Sequence, residues 1–141
     1  MQRVNLDCVD LEYNMQGSGE PVLLIHGSIV ADAFFPLLAE PHLTRNYRVI
    51  SYHSRGFAGS AHARSPFTME QQAADGRALL CHLGFPCVHV AGHSYGVAIA
   101  MQWALDAPEE IRSLALLEPS LMEWIPSGPA YWEWVASVRE R

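Results

Sequence analysis

Residues 3–15 alternate between apolar and polar positions. Val4, Leu6 and Cys8 keep one phase, and Val9, Leu11 and Tyr13 keep the other. A period of two marks a half-buried strand, and the slip at Cys8-Val9 predicts two short strands in a hairpin. Residues 16–20 form a glycine-containing turn cluster. Residues 22–25 are apolar without a break, bounded by Pro21 and Gly27, as expected for a strand covered on both faces of a parallel sheet. A mixed stretch at 33–43 predicts one helix, kinked or started at Pro36. Residues 47–52 read as a strand, and 53–66, with Gly56, Gly59 and Pro66, as a loop.

Thr68 and Gln71 stand at capping-box spacing, so a helix opens there. It runs to about Leu83, where Gly84 supplies the stop. A strand follows at 87–91. A helix at 95–107 has the small residues Gly96, Ala98 and Ala100 near its start and is closed by Pro108. Residues 111–117 read as another buried strand. Glu118-Pro119 breaks the pattern, and an aromatic segment with Trp124, Tyr131, Trp132 and Trp134 follows. Trp132, Val135 and Val138 recur there at helical spacing.

Strands alternating with helices imply an α/β fold: a mostly parallel sheet with helices on both faces and right-handed crossovers. Ligands in such sheets sit at the carboxyl ends of the strands. Four motifs fall at four such ends: His26-Gly27-Ser28, His53-Ser54-Arg55-Gly56, Gly92-His93-Ser94-Tyr95-Gly96 and Glu118-Pro119.

Composition narrows the function. The 141 residues are 50% apolar and 17% charged, enough for a packed core and against intrinsic disorder. The formal charge is −6 and all 9 basic residues are Arg, so no basic stripe exists to meet nucleic-acid phosphates. Cys8, Cys81 and Cys87 are an odd set without metal-ligand spacing, and Cys81 and Cys87 are expected as buried thiols. No metal or cofactor is implied. No apolar run approaches a membrane span, and the amino terminus lacks an apolar signal core, so a cytoplasmic chain is expected.

The motif with most chemistry in it is Gly92-His93-Ser94-Tyr95-Gly96, of the form G-x-S-x-G, led in by an apolar strand and led out by a helix. So tight a strand-to-helix turn predicts a strained backbone at Ser94, with its hydroxyl pushed into the cleft. Side chains at 92 and 96 would collide, hence the glycines. The turn also aims the Tyr95 backbone N–H, at a helix start, toward whatever Ser94 attacks. His93 is expected to pack the turn rather than to act as base, because adjacent side chains diverge there.

Taken together, 22–28, 52–60 and 90–96 resemble the N-terminal half of an α/β-hydrolase-fold protein, in the family's order and at its spacing. The resemblance implies a serine hydrolase acting on a small ester or amide by acyl transfer to Ser94. It implies a second oxyanion N–H at Ser28 beside that of Tyr95. It leaves His26 as a loop-shaping buried histidine and Arg55 as a brace, and puts His53 where the family often has Asp. It divides the chain into a core portion at 1–119, truncated after about the sixth strand, and the start of a helical cap at 120–141. Serine at 94 argues against relatives with an Asp nucleophile, such as dehalogenases and epoxide hydrolases. Cofactor-free peroxidases keep Ser and stay open.

The triad is incomplete. The family's order is nucleophile, acid, histidine, yet the histidines, at 26, 42, 53, 62, 82, 89 and 93, all precede Ser94. Glu118 stands where some relatives place the acid, although a strand-end carboxylate beside a proline turn is the favoured reading. Asp75 and Asp106 fall on predicted helices and read as solvated surface. The alternatives are therefore a hydrolase whose base lies elsewhere, or a catalytically incompetent fragment that needs a partner chain. The bare sheet edge at 111–117 would then invite self-association.

Overall fold

In the computed structural model, which describes residues 1–6, 9–62 and 67–119, the hairpin strands β1 (Gln2–Leu6) and β2 (Val9–Gly17) form one end of a mixed six-stranded sheet. β3 (Glu20–Ile25), β4 (Tyr47–Tyr52), β5 (Val88–His93) and β6 (Ile111–Leu117) complete it in the order β1-β2-β4-β3-β5-β6. The hairpin joins antiparallel through β2 and β4, while β4, β3, β5 and β6 run parallel. Ile25 pairs with both Tyr52 and Gly92, and His93 pairs with Leu117. The carboxyl ends of all four parallel strands therefore lie along one edge, which brings the four sequence motifs together.

Alternate residues of β3 enter opposite cores, as a strand covered on both faces requires. Leu23 and Ile25 join the larger cluster, with Leu79 of α3 (Met69–His82) and Ile99 and Trp103 of α4 (Tyr95–Asp106). Leu24 joins Phe34, Leu38 and Val49 on the other face. The capping box at the start of α3 is formed as expected: Thr68 Oγ1 accepts from the Gln71 N–H, and the Gln71 side chain accepts from the Thr68 N–H. Gly84 ends that helix region with a φ of 80°, open to glycine at little steric cost.

Three expectations need correction. The helix expected at 33–43 is two short ones, α1 (Phe35–Leu38) and α2 (Pro41–Thr44). Pro36 is tolerated in a first turn. Pro41 starts a new helix, because the residue before a proline avoids the helical region; Glu40 is extended, with ψ 112°. β6 is not buried: of the described strands it pairs only with β5, and Leu116 and Leu117 are 42% and 44% exposed. The thiols also differ, Cys81 being exposed and Cys87 half-buried. Cys8 and the aromatic segment from 120 onward, read as the start of a cap, lie outside the described residues.

Candidate active site

β5 runs straight into α4 through Ser94, and that single residue absorbs the whole reversal. Its φ is 51° and its ψ −115°, a conformation that costs a non-glycine residue of order 1–3 kcal/mol and persists only where surroundings impose it. The surroundings are visible. The Ser94 N–H donates to the Leu117 carbonyl at 2.9 Å, tying the turn to β6, and the Ser94 carbonyl accepts from the Val97 N–H at 3.0 Å. A Cβ on Gly92 would strike the Gly96 carbonyl group and stand 2.9 Å from Val97 Cα. A Cβ on Gly96 would strike the carbonyl of Ile25 and lie 2.7 Å from that of His26. Gly96 is thus needed for the approach of α4 to β3, rather than to avoid a side chain at 92.

That approach places the 26–28 segment beside the serine: a Cβ on Gly27 would stand 3.3 Å from Ser94 Cβ and 3.1 Å from His93 Nδ1. Ser28 follows in the same segment, and Tyr95 is the first residue of α4. The Tyr95 hydroxyl, away from the turn, accepts a 2.6 Å hydrogen bond from the buried Gln72 of α3. His93 ends β5. Its ring meets Phe34 edge-on at 6.4 Å, and its Nε2 lies 3.2 Å from a Glu118 carboxylate oxygen. Glu118 follows β6 with a φ of 48° and is exposed. None of the histidines among the described residues hydrogen-bonds to Ser94. None of the described His, Cys, Asp or Glu residues forms a group of three or more that could hold a metal.

Behind the serine stands a layer of polar support. His26 is buried, and its Nε2 accepts from the Ser54 N–H at 2.9 Å. The ring is therefore protonated on Nδ1, which donates to the Gly27 carbonyl at 2.7 Å. One imidazole thus joins the end of β3 to the loop after β4. Burial holds its pKa below the ordinary imidazole value, as does the neighbouring His53, against a smaller opposing pull from the Gly27 carbonyl and Asp32.

The pH consequence follows by linkage. An unfolded His26 takes up a proton near pH 6.5, about the ordinary value, while the folded ring takes it up only at lower pH. Between those limits the unfolded state binds more protons, so this residue's share of stability is lost as pH falls below about 6.5. Urea midpoints measured from pH 7.5 to 5.5 are expected to fall more steeply for the native chain than for His26→Asn. Equal slopes would remove His26 from the account.

Arg55 is the brace the resemblance implied, but its partner is a surprise. Its guanidinium forks onto Asp75 of α3 through Nε at 2.8 Å and Nη2 at 2.6 Å. Asp75 is buried, not solvated surface, because this side of α3 faces the loop after β4 rather than water. Asp106 is exposed as expected and accepts from Gln102. The buried Tyr52 hydroxyl is held well above the usual phenol range by burial and then by the Asp75 charge, so it stays protonated. Glu12 and Asp32, which no local pattern singles out, both face His53. The one available signal was histidine at a position where the resembled family often has Asp.

A strained serine between strand and helix, glycines that permit it and a backbone segment laid beside it form one geometry. Residues 20–140 match the family model described as alpha/beta hydrolase fold. The chain belongs to that family. Over 108 residues it is 35% identical to a protein of Azorhizobium caulinodans named as the carbamate hydrolase RutD, covering 77% of this chain and 40% of the relative. It is 32% identical to a fluoroacetate dehalogenase of a Burkholderia species, with 93% of this chain and 45% of that protein covered. The solved structure of a thermophilic esterase from Thermogutta terrifontis superposes with a TM-score of 0.82 at 28% identity, covering 94% of this chain and 50% of that one. The chain thus spans about half or less of the length of these α/β-hydrolase relatives. Among its described residues, no helix is long and apolar enough to cross a membrane.

Proposed function

We propose that this chain carries the nucleophile and the oxyanion donors of a serine hydrolase that cleaves small esters or amides through an acyl-enzyme on Ser94. The observation that carries this reading is the strained backbone of Ser94, with a φ of 51° in the turn between β5 and α4. In this reading Ser94 Oγ attacks the acyl carbon while a general base takes its proton. The backbone N–H groups of Tyr95 and Ser28 then receive the developing oxyanion, and loss of one such donor typically costs about 10²–10³ in rate.

Serine at 94 separates this chain from Asp-nucleophile chemistry and favours the acyl-carbon reactions in the names of the esterase and carbamate hydrolase relatives. None of the described histidines has a hydrogen bond to Ser94, and in this reading the base is not one of them. Glu118, beside His93, serves in this reading as a strand-end carboxylate; it is the one acid at the position some relatives use.

The test is intact mass after incubation with p-nitrophenyl acetate. A single acetyl adduct is expected to form slowly and to persist, because the base that would activate water is not in place. Ser94→Ala is expected to abolish it. Equal acetylation of the Ser94→Ala chain would defeat the assignment.

A further inference from the structure

One buried imidazole is gripped from two sides. His53 follows the last residue of β4, and its side chain is only 5% exposed. Its Nδ1 lies 3.2 Å from Glu12 Oε2 and its Nε2 2.8 Å from Asp32 Oδ1. Phe35 stacks on the ring at 6.0 Å, and the His26 ring meets it edge-on at 6.2 Å.

The two carboxylates are not equivalent. Glu12 is fixed independently of His53, by Arg3 from β1 and by the Gly59 N–H at 3.0 Å. Asp32 is 59% exposed at its side chain, and among the described residues its carboxylate hydrogen-bonds to His53 alone. Asp32 also belongs to the 26–34 connection between β3 and α1, four positions after Ser28. The intervening Ile29 and Val30 are 62% and 53% exposed. Two bonds internal to the turn, from the Ala33 N–H to the Val30 carbonyl at 3.4 Å and from the Phe35 N–H to the Asp32 carbonyl at 3.0 Å, shape the end of that stretch. Its ties to the rest of the fold are His26 through Ser54 at its start and the buried Phe34 at its end.

We infer that His53 is a positioning residue: by holding Asp32 against the fixed Glu12, it sets where the 27–31 segment, and with it the Ser28 N–H, stands relative to Ser94. This rests on the reading of Ser28 as an oxyanion donor. The hydrogen-bond inventory adds a condition. A neutral imidazole carries one N–H and the imidazolium two, so donation to both carboxylates at once needs the second proton. Loss of that proton releases one side of the grip, and the exposed Asp32, whose carboxylate unlike that of Glu12 has no second support among the described residues, is the weaker side. The groups facing the ring are Glu12 with its partner Arg3, Asp32, and His26, whose own proton is held on Nδ1 toward Gly27.

The experiment is an NMR pH titration of the 141-residue chain, following the His53 and His26 ring resonances and the Ser28 backbone amide. The Ser28 amide is expected to shift with the midpoint of the His53 ring, apart from any step that follows His26. In Asp32→Ala the His53-linked step at Ser28 is expected to be lost. The contact between His53 and Glu12 does not involve Asp32, and the α4 amides stay in place to report an intact fold. A Ser28 amide that ignores the His53 titration in the native chain overturns the inference, as does a His53-linked step that survives in a folded Asp32→Ala. These readings do not use Ser94 chemistry. A chain with the coupled titration but no acylation at Ser94 fails the proposed function alone, and one acylated without the coupling fails this inference alone.

Discussion

Asp75→Ala is expected to destabilise the protein by about 3–5 kcal/mol, because breaking a buried ion pair from one side strands the other charge. Asp75 is 1% exposed and receives two short bonds from Arg55, whose side chain is only 15% exposed. The pair contributes little by mere attraction, since both groups were desolvated to make it. The loss comes from leaving a largely buried guanidinium without the carboxylate that takes both of its short bonds. Arg55→Met with Asp75→Leu, which removes both charges and keeps the volume, is therefore expected to recover much of the stability. Urea denaturation of the two variants reads the difference directly. A single-variant loss below about 1 kcal/mol, the scale of an exposed pair, would mean that this side of α3 is wet.

Trp103→Ala is expected to cost a similar amount, about 3–5 kcal/mol, for a different reason. Trp103 is fully buried on α4, and its ring passes so close to α3 that a Cβ on Gly76 would stand 2.9 Å from it. Removing it leaves a void between the two helices. It also takes away the indole N–H that donates to Glu110 at 3.0 Å, beside the Arg77 fork on the same carboxylate. Trp103→Phe separates the two contributions. It keeps most of the ring volume but loses one edge of the indole together with the hydrogen bond to the carboxylate, a bond of a class worth about 1.5–3 kcal/mol. Thermal or urea unfolding of both variants is expected to show a clearly larger loss for Ala than for Phe. Equal losses would shift the weight from packing to the Glu110 contact.

The parts of the fold that were legible in the sequence are those written in local pattern. The slip at Cys8-Val9 marked the hairpin, Thr68 and Gln71 marked the start of α3, and the glycines around Ser94 marked the strained turn. Each depends on residues within a few positions of one another. What stayed hidden depends on which way an element faces. Asp75 sits on a helix whose apolar periodicity is weak, so nothing local separates its inward polar face from a solvated one. Glu12, Asp32 and His53 come from three separate segments that only the sheet register brings together, β2 lying beside β4 and both β3 and β4 ending at one edge. The apolar run at 111–117 reads by itself as a buried strand, because it states what a strand can bury and not what is there to cover it; the bare edge was legible only through the resemblance to part of a larger fold.

In the function proposed above, Ser94 is a nucleophile whose base is not among the described residues, and peptide mapping after exposure to a fluorophosphonate probe reads this out. Slow, substoichiometric labelling confined to the peptide containing Ser94, and absent in Ser94→Ala, is the result expected. Rapid labelling lost in Ser94→Ala would mean that one of the seven histidines present already serves as base, and labelling at any other residue would remove Ser94 from the role; either result contradicts the account.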